Sequence, residues 1–262
     1  MKKLKAISDY WRTIKTRKLP WADDFCDLVR HKSGLEIGGP TKFFSAALPI
    51  YRVAGRVDGV NFAHSTHWEG VIQQADDTYA YYGFKRGRQF IAEATLLHEI
   101  QDDKYDFLIS SNCLEHLANP LKALCEWRRV IAEEGVAVVV VPSKLATFDH
   151  KRPTTEICHL LNDFEKDVDE GDMTHLSEIL SLHDRSRDRQ TGSFEEFKLR
   201  CMENRSNRFM HHHVFDMSLL RDAVTLCGFQ VLAEHEAVGN LFVLARKRSE
   251  VPLNAAINRG QN

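Results

Sequence analysis

One segment narrows the choice of folds more than any other. Residues Val136 to Val141 read V-A-V-V-V-V, β-branched almost throughout and without polar alternation. A strand with one wet face alternates apolar and polar residues. An unbroken apolar run needs cover on both faces, which is the situation of a strand inside a parallel sheet. Ahead of it, Pro120 to Ala132 predicts an amphipathic helix: Leu121, Leu124, Trp127, Val130 and Ile131 recur at helical spacing, and Pro120 suits the first turn. Glu133-Glu134-Gly135 turns the chain between the two. A further apolar strand, Tyr105 to Ser110 (Y-D-F-L-I-S), precedes the helix. Strand, helix, strand in this order predicts an α/β protein with helices on both faces of a mostly parallel sheet.

The same pattern extends in both directions. Short strands are expected at Gly34–Ile37, Arg56–Val60 and Arg88–Ala92, ahead of those above. After Val214 come a helix over Met217–Leu226, a stop at Gly228, and strands Phe229–Glu234 and Asn240–Ala245, close enough to be antiparallel neighbours. Between Ser143 and Met210 the chain is polar and only weakly apolar at helical spacing, which marks an insertion. The expected division is a basic helical extension over residues 1–30, one domain over 31–246 with an insertion at 143–213 acting as a substrate lid, and a flexible tail over 247–262.

Charge and composition exclude several classes. A formal net charge of −2 argues against a general nucleic-acid binder. No apolar run is long enough to span a bilayer. The six cysteines form no Cys-x-x-Cys pair, so neither a disulfide framework nor a zinc ribbon is expected. Met1 to Pro20 is basic, with Lys2, Lys3, Lys5, Arg12, Lys15, Arg17 and Lys18 against Asp9, but lacks a continuous apolar core. It reads as a solvated helix rather than a leader, and the cytoplasm is the expected location. The oligomeric state is not legible.

The strand ends carry the chemistry, because ligands of open parallel sheets bind beyond the carboxyl ends of the strands. The first strand ends in Leu35-Glu36-Ile37-Gly38-Gly39-Pro40. Glycines there let backbone approach a ligand, but the G-x-G-x-x-G spacing that seats a pyrophosphate is absent. An acid two residues before the glycines repels a pyrophosphate and tolerates a cationic or zwitterionic ligand such as S-adenosylmethionine. Val57-Asp58-Gly59 offers a carboxylate for ribose hydroxyls, although an Asp-Gly pair also serves simply to turn a chain. Glu93-Ala94-Thr95-Leu96 is placed to meet an adenine. Ser111 and Asn112, after the fourth strand, are expected beside the reacting atoms.

Taken together, L-E-I-G-G-P, V-D-G, E-A-T-L, Y-D-F-L-I-S-S-N-C-L-E-H-L and V-V-V-V-P resemble a class I S-adenosylmethionine-dependent methyltransferase, of the broad small-molecule group called type 11. Leu114-Glu115-His116 and His213-Val214-Phe215 match motifs common in that group. The resemblance covers roughly Gly34–Pro142 and Val214–Arg246. It implies a Rossmann-like sheet of seven strands with an antiparallel C-terminal hairpin. It also implies that Glu36, Gly38 and Gly39 line the methionine part of S-adenosylmethionine, that Asp58 holds the ribose, that Glu93 and Ala94 border the adenine, and that Ser111 and Asn112 border the sulfonium. The adjacent glycines followed by Pro40 depart from the group's usual acid-x-Gly-x-Gly loop, so the loop is shaped differently.

The insertion is expected to receive the methyl acceptor. Histidine is the usual general base near neutral pH, and His150 and His213 are the expected catalytic bases. His116 lies on the cofactor side. In the group that position often packs or caps the helix start, so His116 is expected to be structural rather than catalytic, facing the substrate without acting as the base. Arg152 is expected to bind a phosphate or carboxylate on the acceptor. A metal ion held by Asp149, His150, His175 or Asp184 with the run His211-His212-His213 is not expected, because consecutive residues of an extended segment point to alternate faces. The resulting expectation is O-methylation of a small polar molecule, such as a sugar or a phosphorylated surface-glycan precursor. The alternatives are a methyltransferase of a macromolecule, and a non-catalytic protein that binds S-adenosylmethionine.

Overall fold

The computed structural model describes residues 19–249 apart from Arg189 and Val238. The basic stretch expected as a helical extension lies mostly outside the described residues, as does the tail beyond residue 249. The part of the extension that is described forms helix α1 (Ala22–Leu28), and it buries Phe25, Cys26 and Ala22 against the domain.

Seven strands form one sheet: β1 (Ser33–Ile37), β2 (Arg56–Asn61), β3 (Gln89–Ile91), β4 (Tyr105–Ser111), β5 (Ile131–Pro142), β6 (Phe229–Ala237) and β7 (Asn240–Lys247). Their spatial order is β6-β7-β5-β4-β1-β2-β3. Strands β1 to β5 pair in parallel, and β7 runs antiparallel to both of its neighbours. This is the Rossmann-like sheet expected from the sequence, antiparallel hairpin included. The expected tail begins one residue too early, since Lys247 still belongs to β7 and is buried.

The apolar run that opened the sequence reading divides cleanly by parity. Ala137, Val139 and Val141 enter one core, with helices α2 (Pro120–Val130) and α6 (Met217–Leu226). Val136, Val138 and Val140 enter the core on the opposite face, with Phe25, Phe44 and Tyr51. All six are buried, and each buried valine contributes roughly 1.5–3 kcal/mol of transfer free energy. Both ends of α2 follow local chemistry. Asn119 caps it by accepting from Lys122 N at 3.1 Å, with Pro120 in the first turn. At the other end the chain leaves the helix at Ile131, and Glu134 takes a φ of 61° before β5 settles into register.

Residues 143–213 carry the helices α3 (Ile157–Glu165), α4 (Leu176–Leu182) and α5 (Phe194–Met202), followed by a single turn over Asn204–Asn207. Ile179, Phe197, Cys201 and Met210 make a small core of their own there, apart from the two cores of the sheet. No helix among the described residues is long and apolar enough to cross a membrane.

Candidate active site

β1 lies between β2 on one side and β4 on the other, and the chain order reverses across it. A cavity of about 550 Å3 opens at this switch point, beyond the carboxyl ends of the strands. Its sheet-side wall comes from Gly38, Asn61, Glu93, Ala94, Ser111 and Asn112. Gly38 has a φ of 78°, and a Cβ there would stand 3.1 Å from that of Cys113, so both backbone shape and space require glycine. Its amide donates to Val60 O at 2.9 Å, which ties the loop to β2. Asn112 also takes a left-handed conformation, φ 52°, with its amide on Val140 O.

The opposite wall is built by the insertion and by a small hairpin, Ser65–Thr66 with Gly70–Val71, that presents Trp68. Trp68 packs against Phe209 (ring centroids 5.3 Å apart) and His116 (5.7 Å). Phe148 and Arg187 line the same side.

His211 reaches this cavity, and it is the residue sequence reasoning missed. Its Nδ1 lies 2.5 Å from Asp149 Oδ2, and both residues are buried. Burial pulls the imidazole towards neutrality, but the Asp149 carboxylate outweighs it and holds the His211 pKa above the usual value. Burial likewise acts to raise Asp149, and the charges of His211 and Arg152 overcome it and hold the carboxyl well below the ordinary range. Beside the pair sit His116, its ring 4.6 Å from that of His211 and its pKa pulled well down by burial, and Glu115. Burial pushes the Glu115 carboxyl up to about 7, and its Oε2 has no hydrogen-bond partner.

Of the expected site residues, Gly38, Glu93, Ala94, Ser111, Asn112 and His116 line the cavity, while Glu36, Gly39, Asp58, His150, Arg152 and His213 do not. Glu36 is fully buried behind the wall. One of its oxygens accepts from Tyr51 (2.5 Å) and Tyr79 (2.6 Å) and the other from Thr41 N (3.1 Å). Gly39 serves the same arrangement, since a Cβ there would fall 2.2 Å from the Glu36 carboxyl.

Asp58 is corrected for a different reason: β2 does not stop at Gly59 but runs on to Asn61. Asp58 is thus mid-strand, accepting from Arg56 Nε, Arg88 N and Tyr105 Oη at 2.8 Å each. Gly59 is not a turn but a close approach, because a Cβ there would meet the Tyr79 ring at 2.1 Å. Asn61 takes the strand-end place, its side-chain amide donating to Gly39 O at 2.9 Å.

The three insertion residues are corrected together. His150 Nε2 pairs with Asp184 at 2.7 Å, outside the cavity. Arg152 is 1% exposed and fully engaged: its guanidinium donates to Asp149, to Glu178 and to the carbonyls of His211 and His212. It braces the histidine segment instead of binding an acceptor. His213 is walled off from the cavity, with Nε2 3.2 Å from Ala118 O. Residues 208–216 form no strand, so the alternation of faces expected along His211-His212-His213 does not operate. Arg187, Arg200 and Arg208 of the insertion line the cavity where Arg152 does not.

The profile of a family described as methyltransferase domain matches residues 35–139. An S-adenosylmethionine-dependent methyltransferase from Methanosarcina mazei superposes with a TM-score of 0.50 at 16% identity, over 89% of this chain and 100% of that one. One from Mesorhizobium loti does so with a TM-score of 0.50 at 12% identity, over 87% of this chain and 96% of that one. At such identities the likeness is one of fold. Comparison with curated proteins returns no match.

Proposed function

We propose that the chain, whose residues 35–139 match a family described as methyltransferase domain, is a class I S-adenosylmethionine-dependent methyltransferase that methylates a hydroxyl of a small polar acceptor with His211 as general base. S-adenosylmethionine supplies a methyl group activated by a positively charged sulfur. The residues at the strand ends suit it. Gly38 allows backbone to approach, and Ala94 leaves room for a flat ring at the end of β3. Glu115 adds a buried carboxylate oxygen without a partner at a wall where the ligand is cationic.

The observation that carries the reading is the Asp149–His211 pair at the cavity wall. With Nδ1–H donated to Asp149, the ring presents Nε2 as the proton acceptor. As the hydroxyl oxygen bonds the methyl carbon, its proton passes to Nε2 and the electron pair of the old carbon–sulfur bond stays with sulfur. The rest of the catalysis is alignment of oxygen, carbon and sulfur within a closed site. The aromatic faces of Trp68 and Phe209 with the cation of Arg187 favour a polar ring compound, such as a sugar or a phosphorylated glycan precursor.

The test is calorimetric titration of the full chain with S-adenosylmethionine, followed by incubation of metabolite extract with isotopically labelled cofactor and mass spectrometry of the products. Binding with a labelled hydroxyl-bearing product supports the reading. Absence of binding overturns the enzyme, binding without transfer to any molecule overturns the transfer, and label on nitrogen or on macromolecules overturns the acceptor class.

A further inference from the structure

A second histidine cluster lies outside the cavity. His159 and Asp163 stand one turn apart on α3, His175 precedes the first turn of α4, and His213 lies in the segment leading to α6. His159 Nε2 is 3.1 Å from His175 Nε2 and 3.2 Å from Asp163 Oδ2, and His213 Nε2 is 3.6 Å from the same oxygen. All four residues bring one ligand atom within 4.8 Å of the others. None lines the cavity.

We propose that His159, Asp163, His175 and His213 hold a single divalent zinc ion. Zinc takes nitrogen and oxygen ligands at about 2.0–2.1 Å in a tetrahedron, whose edges are then about 3.3 Å. The three short distances above bracket that edge. The second observation is Asp163 itself: it is 5% exposed, and its Oδ2, which faces both His159 and His213, has no hydrogen-bond partner. A buried carboxylate oxygen in that state costs free energy unless a cation meets it. Three imidazoles with one carboxylate favour zinc over magnesium or calcium, which prefer oxygen. The His159 side chain is 36% exposed and gives the ion a way in. In the metal-free chain His213 Nε2–H donates to the Ala118 carbonyl; to ligate the ion the neutral ring takes its other tautomer, with the proton on Nδ1.

Four protein ligands leave no open position, so the ion is structural. It ties α3 and α4 to the segment that carries His211 two residues before His213. Loss of the ion therefore loosens the acceptor wall and leaves the strand-end wall in place.

The experiment uses tag-free full-length chain purified without chelator. Elemental analysis is expected to find about one zinc per chain, and cobalt replacing zinc is expected to give the visible absorption of a tetrahedral site. In His159→Ala/His175→Ala the bound zinc falls at least tenfold and the cobalt spectrum is lost. His159→Ala alone, at a partly exposed ligand, and Asp163→Asn repeat the measurement with circular dichroism confirming the fold, so that the site is judged on folded single variants. Zinc loss with the fold retained supports the site. Wild-type chain that takes up neither metal after dialysis against it overturns the site. So does zinc retained by folded variants, which places the ion elsewhere, for instance at Glu115, His116 and His211. Titration with S-adenosylmethionine on the same samples reports separately on the cofactor site.

Discussion

His211 and Asp149 lie 62 residues apart in sequence and meet at 2.5 Å through Nδ1 and Oδ2, with His211 lining the cavity on the side built by the insertion. Asp149 also receives Arg152 Nη1 at 2.9 Å, while the same guanidinium donates to the carbonyls of His211 and His212. One cation thus holds both the carboxylate and the backbone of the histidine that the carboxylate orients.

His211→Ala is expected to lower kcat by about 10²- to 10⁴-fold, the usual contribution of a general base, with S-adenosylmethionine affinity within about twofold of wild type. Turnover by the variant equal to wild type would remove His211 as the base. His150→Ala, at a histidine tied to Asp184 outside the cavity, is expected to keep kcat within about threefold.

Asn61→Ala is expected to weaken S-adenosylmethionine binding by about tenfold, on the order of 1.4 kcal/mol, because Asn61 holds the strand-end place and braces Gly39 O. Asp58→Asn is expected to cost stability instead, about 1–3 kcal/mol for a buried acceptor deprived of charge-assisted partners, with cofactor affinity little changed. Calorimetry and urea unfolding on both variants separate the two roles. The reverse pattern would return the ribose to Asp58.

Glu36 makes a pH prediction. Burial lifts its folded pKa from 4.5 to about 7, against the lowering effect of the bonds from Tyr51, Tyr79 and Thr41. Between those values the folded protein holds a proton the unfolded chain has lost, so stability falls as pH rises through the window and levels off above it. At about 1.4 kcal/mol per unit, the loss is on the order of 3 kcal/mol. Glu36→Gln is expected to flatten this component, read as the difference between variant and wild-type unfolding curves at pH 5 and pH 8. Equal pH dependence in the two proteins would refute it.

Trp68→Ala is expected to raise KM for the acceptor at least several-fold without changing cofactor affinity, since the indole is half-exposed and packs at a tilt against Phe209 and His116. An unchanged KM would move the acceptor away from this wall.

The sheet was legible because its information is local. Val136 to Val141 carries its double burial in an unbroken apolar run, and the Met217–Leu226 helix is marked by its stop at Gly228, to which the structure adds an Asp216 cap that accepts from Leu219 N at 2.9 Å. The strand-end glycine Gly38 and the positions Glu93, Ala94, Ser111 and Asn112 followed from the sheet. Asp58 misled because Asp-Gly signals a turn, whereas Gly59 is required by the Tyr79 ring 20 residues later, a contact no local pattern records. The histidine roles failed for the same cause. His211 is defined by Asp149, and His213 by His159 and His175, all of them partners brought in by the insertion's own folding.

The insertion's small core, Ile179 with Phe197, Cys201 and Met210, is separate from the two cores that sustain the sheet. Under the proposed function, most of the wall that would meet the acceptor, Trp68 apart, and the strand ends that would meet the donor come from different stretches of chain, joined by the Arg208–Glu93 ion pair. Substitutions inside the small core that spare that pair would then change the acceptor while the donor site stays under its own selection.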